Sequence, residues 1–362
     1  MKLKIDSLIK AHSELTHQRT SSIPIVLMTR IRLARNVAGY TFPNQSDDSV
    51  REEVFRLCHD AIEKSDAMKA ATTLRSGELS ELERTLLVER HLVSRELVEH
   101  ESGSGVVINE DQSCAVMINE EDHLRIQSML AGFHLDKVWQ AIDGLDDSLE
   151  RRIDYAFSDD LGYLTACPSN VGTGLRASVM MHLPGLVITK NMEKVIRAVN
   201  QIGLVVRGWL GEGSDASGSI FQISNQQTLG ESESAILKRL ANVLKTVRTQ
   251  EENARARLLD SDRNRILDRI GRAYGILRNG HLLSSGEGMS LLSLIRLGTD
   301  LKIFPEETRC LVDRLFIETQ PAHVQYLADS EVESSARDAL RAESVRREFG
   351  DLPGPDFGAA PS

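Results

Sequence analysis

Five arginines stand in strand-like or turn-like stretches, and arginine is the side chain best suited to hold phosphate. They are Arg30, Arg32, Arg125, Arg176 and Arg207. Arg30 and Arg32 lie in "TRIRLARN", where arginine alternates with apolar residues, so both side chains point to one face of a strand. Arginine stays charged and offers a planar set of donors that fits phosphate oxygens. A single strand arginine is more often a surface ion-pair partner, but this set could hold a triphosphate without a P-loop lysine.

Carboxylates follow two of these strands. "NEEDH" supplies Glu120, Glu121 and Asp122, and "GEG" supplies Glu212. Acidic runs usually lie on solvated faces. Two carboxylates can also hold the planar donors of a guanidinium, and one of them can accept the proton that leaves an attacking nitrogen. Their position beside arginines predicts a site that binds a guanidinium group next to a phosphate.

The segment "CPSNVGTGLRAS", from Cys167 to Ser178, resembles a turn that holds phosphate, with Arg176 in place of the usual lysine. Two interpretations of Cys167 are open. It is either a buried, inert cysteine, or a thiolate that adds negative charge near a bound guanidinium. The residues alone do not choose between them.

Length and composition bound the class of protein. A chain of 362 residues is long enough for about two domains. The net charge of −10 argues against a nucleic-acid or membrane binder. The four cysteines show neither close pairing nor Cys/His ligand spacing, so neither a disulfide framework nor a zinc site is expected. No signal segment or apolar run of ~20 residues is present, so we expect a cytoplasmic protein.

Apolar periodicity divides the chain. Strands are predicted at "GVVI", "CAVMI", "LGYLTACP", "LVVRGWL" and "SIFQISNQ", and a long helix begins at "ESESAILK". Every later pattern is helical. We therefore predict an N-terminal arm (1–24), a catalytic domain (25–256), a helical C-terminal domain (257–350) and a Pro/Gly/Ala-rich tail (351–362) that is disordered.

The blocks "TRIRLARN", "NEEDHLR", "CPSNVGTGLRAS" and "RGWLGEG" resemble, in the same order, those of the phosphagen (guanidino) kinases. "INEEDHLRIQSM", "IFQISNQQTLGESE" and "RIGRAYGIL" are closer to the bacterial protein-arginine kinases of that superfamily. The resemblance implies an α+β fold, with an antiparallel sheet flanked by helices as in glutamine-synthetase-like cores, and an α-helical C-terminal domain. It implies transfer of the γ-phosphoryl group of ATP, with Mg²⁺, to arginine side chains of proteins.

The resemblance also assigns roles to matching positions. Glu121 is the expected catalytic base, Glu212 the second guanidinium-binding carboxylate and Cys167 the active-site cysteine. The expected nucleotide-binding residues are Met28, Thr29, Arg30, Ile31, Arg32, His91, Arg125, Arg176, Ala177, Ser178, Val179, Met180, Arg207, Gly208, Trp209, Leu210, Gly211 and Glu212. At position 28 this chain has Met28, where the family usually has a small residue with a hydroxyl group. At position 180 it has Met180, where small-molecule guanidino kinases have histidine. Neither change removes a charge, so we expect ATP binding to be retained.

"RDALRA" in the C-terminal region resembles a phosphoarginine-binding motif, with Arg337, Asp338, Arg341 and Ala342 as the expected contacts. Arg337 and Arg341 share a helix face, so both could grip a phosphoryl group. A salt-bridged surface helix is the alternative. The resemblance further implies protein substrates with exposed arginines, phosphoarginine as an allosteric ligand, an activator protein, a downstream protease-chaperone in protein quality control, and a homodimer. A kinase of free arginine or another small guanidine, and an inactive phosphoarginine-binding adaptor, are the alternative functions.

Overall fold

The computed structural model describes residues 5–11, 23–99, 102–209, 217–328 and 331–361. The strands are β1 Val26–Arg35, β2 Thr72–Arg75, β3 Gly105–Ile108, β4 Cys114–Ile118, β5 Leu124–Ala131, β6 Phe157–Ser158, β7 Gly162–Tyr163, β8 Leu175–His182, β9 Leu204–Gly208 and β10 Ile220–Asn225. The helices are α1 Asp6–Lys10, α2 Asp48–Glu63, α3 Glu81–Glu89, α4 Arg95–Glu99, α5 Leu135–Glu150, α6 Pro184–Ile188, α7 Met192–Gln201, α8 Glu233–Asn279, α9 Ser285–Asp300, α10 Thr308–Glu318, α11 Pro321–Leu327 and α12 Ser334–Gly350.

An eight-stranded sheet in the order β2-β3-β4-β5-β1-β8-β10-β9 forms the centre of the described residues. Its paired strands run antiparallel, which confirms the predicted fold class. "LGYLTACP" differs from the prediction, because only Gly162–Tyr163 is strand. Those two residues pair with β6 in a separate two-stranded sheet. Further along the segment, the Ala166 amide donates to the Asp122 carboxylate.

Alternation along β1 sorts its side chains onto two faces. Ile31 and Leu33 pack with Val179 in one buried cluster, which helices α2, α5 and α7 and the first part of α8 cover. Met28 and Met180 lie on the other face and pack with residues of the C-terminal helices, Phe316 among them. Arg30 and Arg32 are in phase with Met28, so the arginine side chains lie on the face that the C-terminal helices partly cover.

Helix α8 joins the catalytic and C-terminal regions. It runs without interruption through residue 256, where the boundary was predicted, and bends at Asp262, whose φ of −139° and ψ of 30° are not helical. Buried ion pairs hold the junction, because Arg255 on α8 contacts Glu251 at 2.6 Å and Asp300 on α9 at 2.7 Å. Helices α9 to α12 follow, as the periodicity predicts.

Residues 351–361, for which composition predicts disorder, pack against α8 and against the segment that follows α9. The amide of Asp356 donates to the Ile303 carbonyl at 2.9 Å, and the Tyr274 hydroxyl donates to the Leu352 carbonyl at 3.0 Å. Arg263 donates to the Ala360 carbonyl at 3.0 Å, and Ala360 is buried. Helix α8 therefore supplies the donors and apolar surface that order a Pro/Gly-rich segment, which composition alone does not reveal.

The described part of the N-terminal arm, residues 5–11, is attached to the core. Ile5 and Leu8 are buried, and Arg90 donates to the Leu8 carbonyl at 2.8 Å and to the Ile9 carbonyl at 2.6 Å. All four cysteines are described, and each is a free thiol. In the described ranges, no helix combines the length and apolarity needed to cross a bilayer.

Candidate active site

A cleft of about 230 Å³ opens on the arginine face of the sheet. Among the described residues, the structure brings together there most of the arginine, carboxylate, cysteine and aromatic residues that the sequence analysis singled out. Its lining includes Arg30, Arg32, Arg125, Arg176, Arg207, Glu121, Cys167, His91 and Trp209. The candidate site is therefore one continuous cavity.

Strand register sets the positions of the arginines. Arg32 on β1 lies directly opposite Arg176 on β8. Arg125 on β5 lies opposite Ala34, one row further along the same face. Arg207 on β9 lies opposite Gln222 of β10, whose side-chain oxygen accepts a 2.7 Å hydrogen bond from Arg30. Since adjacent strands are ~4.8 Å apart, these side chains converge on a small volume.

This cluster of arginines is strongly cationic. Burial, with the charges of Arg125 and Arg176, lowers the pKa of Arg30 to about 10. Burial and the neighbouring arginines hold the pKa of Arg32 well below its usual value. The Nε atoms of Arg30 and Arg32 are buried and have no hydrogen-bond partner among the described residues. Because buried charges are costly without counter-charges, the cluster is suited to receive an anion with several oxygens.

Arg125 has a carboxylate partner in the cleft wall. It pairs with Glu120, which also accepts hydrogen bonds from the Ser94 hydroxyl at 2.5 Å and the Glu121 amide at 2.9 Å. Burial alone would raise the pKa of Glu120, but the charge and hydrogen bond of Arg125 outweigh it and lower the pKa. Glu120 is therefore a positioning residue for Arg125.

The other two acids of "NEEDH" differ in role. Asp122 is buried and accepts from the Asn36 side-chain amide at 2.6 Å and the Ala166 amide at 2.7 Å. Glu121 is half-buried and lines the cleft. Burial, followed by the charges of Asp122 and Glu120, raises the pKa of Glu121. A raised pKa suits a carboxylate that must take up a proton, so Glu121 is the acid best placed for base chemistry.

Cys167 sits on a loop that Asp122 ties to the cleft through the Ala166 amide. Its Sγ lies 3.1 Å from the Ser169 hydroxyl, at the start of the 3₁₀ turn Pro168–Asn170. Gly172 follows with φ of +109°, and a Cβ there would lie 2.6 Å from the Thr228 carbonyl oxygen. That glycine therefore allows the loop to approach the protein backbone closely, which fixes Cys167 at the cleft wall.

His91 and Trp209 form an aromatic wall. Their rings meet edge to face, with centroids 4.9 Å apart. His91 has φ of +59°, and its carbonyl accepts a 2.8 Å hydrogen bond from Gln127. Burial and the charges of Arg30 and Arg32 lower the pKa of His91 to about 3, so the ring is neutral. Its Nε2 has no partner among the described residues and is available to a ligand.

Not every residue of the nucleotide-binding prediction presents its side chain to the cleft. Thr29 accepts from the His134 amide at 3.0 Å and donates to the Gly132 carbonyl at 2.7 Å, on the opposite side of β1. Strand alternation also places the side chains of Ile31, Ala177 and Val179 in the core on that opposite face.

The other residues of the nucleotide-binding prediction lie at different positions around the sheet. Ser178 is on the arginine face and donates to the Arg30 carbonyl at 3.3 Å. Met28 and Met180 are buried against the C-terminal helices. Gly208 ends β9. Leu210, Gly211 and Glu212 lie outside the described residues.

Several residues that line the cleft were not predicted from the sequence, among them Gln222, Ser94, Glu96 and Asn170. Gln222 was detectable, since alternation in "SIFQISNQ" sets it apart from its apolar neighbours. Glu96 had no signal, because α4 reads as an ordinary polar helix turn. Glu96 adds a third described acid to the cavity that Glu121 and Asp122 also line.

The "RDALRA" stretch lies on α12 in the C-terminal region. Arg341 is buried and donates to the Thr319 carbonyl at 2.7 Å and the Leu283 carbonyl at 2.8 Å, and it pairs with Asp338 at 2.6 Å. Arg337 is half-buried and donates to the Val332 carbonyl at 2.9 Å. Ala342 is buried. In this structure Arg341 and Asp338 therefore tie α12 to the neighbouring helices.

The fold and cleft define the class of phosphotransferases that act on guanidino groups. The family model "ATP:guanido phosphotransferase, C-terminal catalytic domain" matches residues 53–254, and "Protein-arginine kinase McsB C-terminal domain" matches residues 263–360. A protein-arginine kinase of Pelotomaculum thermopropionicum is 43% identical over 346 residues, which are 95% of this chain and 97% of that protein. One of Brevibacillus brevis is 44% identical over 89% of this chain and 91% of its own length. The chain belongs to the protein-arginine kinase family.

Solved structures of guanidino kinases share the fold. A lombricine kinase matches with a TM-score of 0.58 and 25% identity, over 71% of this chain and 72% of that one. The duplicated taurocyamine kinase of Schistosoma mansoni, with bound components of a transition-state analogue, matches with a TM-score of 0.58 and 27% identity. That match covers 63% of this chain, which spans only 33% of the duplicated kinase.

Proposed function

We propose that the protein transfers the γ-phosphoryl group of ATP to the guanidino group of arginine side chains in proteins. The observation that carries the proposal is that Arg30, Arg32 and the half-buried carboxylate of Glu121 line the same cleft. The buried Nε atoms of these two arginines have no hydrogen-bond partner among the described residues. The protein-arginine kinases that match nearly the whole chain support a protein, rather than a small molecule, as the acceptor.

The arginines would hold and neutralise the phosphates. The orphaned Nε donors of Arg30 and Arg32 and the exposed guanidinium of Arg207 fit a triphosphate, since each offers donors in a fixed plane. Mg²⁺ bound to the nucleotide would supply further positive charge. His91 and Trp209 would contact the rest of the nucleotide. Because phosphoryl transfer depends chiefly on positioning and charge stabilisation, this set of residues meets its main demands.

Glu121 would bind the acceptor guanidinium and take its proton. The guanidino nitrogen attacks the γ-phosphorus, a nitrogen–phosphorus bond forms, and the bond to the ADP oxygen breaks. The nitrogen's proton passes to a carboxylate oxygen of Glu121, whose raised pKa favours that acceptance. Glu212 would hold the other side of the guanidinium, and Cys167, which lines the cleft, would lie beside it.

The experiment is incubation of the protein with ATP, Mg²⁺ and casein, followed by mass-spectrometric mapping of the phosphorylated residues. We expect acid-labile phosphate on arginines. Free arginine in place of casein should give little turnover. Rapid turnover of free arginine would favour a small-guanidine kinase, and phosphoarginine binding without turnover would favour an inactive adaptor.

We further propose that "RDALRA" binds phosphoarginine, through the half-exposed Arg337 and a rearranged Asp338–Arg341 pair. Titration calorimetry with free phosphoarginine should give weaker binding for Arg337→Ala than for the unaltered protein, while basal activity on short peptides is retained. Unaltered affinity would remove this role. The resemblance also supports a cytoplasmic homodimer that works with an activator protein and a protease-chaperone in quality control.

A further inference from the structure

Three large exposed apolar side chains lie on backbone segments that adjoin the loop 167–172 of the cleft wall. Phe157 is 56% exposed, Leu161 46% and Leu229 53%. Single exposed apolar residues are ordinary on a protein surface, but a cluster beside a binding cavity indicates an interaction site. We call these residues the apolar rim.

Backbone contacts hold the apolar rim together. Phe157 and Leu161 belong to the hairpin of β6 and β7, and Gly162 of that hairpin packs directly on Gly172, where a Cβ would lie 2.6 Å from the Gly172 oxygen. Gly172 in turn packs on the segment that carries Leu229, where a Cβ on Gly172 would lie 2.8 Å from the Leu229 Cα. The three side chains therefore extend from adjoining backbone segments.

The rim is also continuous with the cleft. The Tyr163 and Gly172 backbones are bonded to each other, at 2.8 Å from the Tyr163 amide to the Gly172 carbonyl. The loop that ends at Gly172 begins at Cys167 and includes Ser169, and both of these residues line the cavity. The guanidinium of Arg35 lies 3.6 Å from the centroid of the Tyr163 ring and packs against the hairpin. The rim is thus a fixed extension of the cavity wall.

We propose that the apolar rim binds the residues that flank the acceptor arginine in an extended, unfolded segment of a protein substrate. This rests on the proposed function. An extended chain rises ~3.3 Å per residue, so residues two or three positions from an arginine in the cleft lie about 7–10 Å away, over the loop and hairpin. In folded proteins apolar neighbours are mostly buried, so a surface that binds them together with an arginine selects unfolded segments.

Charge on the rim agrees with that occupant. Asp159 and Asp160 are exposed at the turn of the same hairpin, between Phe157 and Leu161. Two carboxylates there attract a chain that carries arginine, and the whole protein has a net charge of −10. The rim therefore combines the apolar and acidic character that fits a basic, apolar, unfolded segment.

The test compares two peptides of equal length and charge, each with one arginine. One peptide has leucine or phenylalanine on both sides of the arginine, and the other has serine at those positions. For the unaltered protein we expect kcat/KM to be about tenfold higher on the apolar peptide, because the rim covers its side chains. In Leu161→Ser/Leu229→Ser the ratio should fall towards one. Phe157→Ser is less suitable alone, because the Phe157 ring packs on Tyr163, with centroids 5.3 Å apart.

The matched control is Ile202→Ser/Leu282→Ser, which removes two apolar side chains that are 46% and 66% exposed elsewhere on the surface. Its kcat/KM ratio should equal that of the unaltered protein. An undiminished ratio in Leu161→Ser/Leu229→Ser would overturn the proposal, as would a changed oligomeric mass with the ratio intact, which would make the rim an interface between copies. Failure of the proposed function itself is distinct, because neither peptide would then be phosphorylated by the unaltered protein.

Discussion

Replacing Arg30 by methionine is expected to stabilise the nucleotide-free protein while removing most of the stabilisation that ADP provides. Arg30 is 9% exposed and lies among other arginines, with an uncharged partner, the Gln222 oxygen. Its charge is therefore a cost to the empty protein and a benefit to the nucleotide complex. Methionine keeps much of the aliphatic chain and removes the charge.

The size of the effect follows from the pKa of Arg30. Burial, Arg125 and Arg176 lower that pKa from 12.5 to about 10. At about 1.4 kcal/mol for each pH unit, the charged form costs the folded protein about 3 kcal/mol. Arg30 is cationic in both the folded and unfolded chains near neutral pH, so this cost is present throughout that range. Loss of the hydrogen bond to Gln222 offsets about 1 kcal/mol, which leaves a net gain of about 2 kcal/mol.

The assay is urea unfolding followed by tryptophan fluorescence, with and without saturating ADP and Mg²⁺. Arg248→Met is the matched control, because Arg248 is exposed on α8 and pairs with Glu252. Its free energy of unfolding should change by less than about 1 kcal/mol. If Arg30→Met were less stable than the unaltered protein without nucleotide, or gained as much from ADP, the account of the cluster as an uncompensated anion site would be refuted.

Three further predictions concern the cleft and its supports. Asp122→Ala leaves the Ala166 amide without its acceptor and should lower the free energy of unfolding by about 2–4 kcal/mol and slow kcat, and an unchanged urea midpoint would contradict this. Glu96→Gln should raise the KM for an arginine peptide about threefold, by removing a carboxylate from the cleft, and equal effects of Glu96→Gln and the control Glu99→Gln in initial-rate assays would contradict this. Burial lowers the pKa of His123 to about 4 in the folded protein, below the value of about 6.5 in the unfolded chain. As the pH falls, the unfolded chain therefore takes up a proton before the folded protein does. The stability present above pH 6.5 is lost as the pH falls towards 4. At pH 5 the unaltered protein should have lost about 2 kcal/mol of its free energy of unfolding through His123, and His123→Gln should not show this loss. Urea midpoints that fall equally with pH in the unaltered protein and in His123→Gln would contradict this prediction.

The arginine set of the cleft was predictable because strand alternation fixes the face to which each side chain points. "TRIRLARN" places Arg30 and Arg32 together, and antiparallel register then brings Arg176 opposite Arg32. The same rule shows which residues of the contiguous blocks face away, as Ile31 and Val179 do. The nucleotide-binding residues were predicted as contiguous blocks from a family resemblance. Such a resemblance identifies segments of the chain but does not show to which face each side chain points.

Other features depend on contacts between distant segments, which a local pattern does not encode. The three acids of "NEEDH" look alike in the sequence, yet their contacts differ. Glu120 pairs with Arg125, Asp122 lines the cleft but accepts from the Ala166 amide, and Glu121 lines the cleft half-buried. The packing of residues 351–361 was not predictable for the same reason, because the donor side chains of Arg263 and Tyr274 lie on α8. The prediction for Glu212 lies outside the described residues and stays a prediction.

The most direct measurement of the central claim is the single-turnover rate of phosphoarginine formation on an unfolded protein by Glu121→Gln. With ATP and Mg²⁺ saturating, we expect the rate to fall at least about 100-fold, because the amide cannot accept the guanidino proton. ADP affinity should be nearly unchanged, since the nucleotide is assigned to the arginines. A rate within about threefold of the unaltered protein would contradict the assignment of the base and, with it, the proposed chemistry of the cleft.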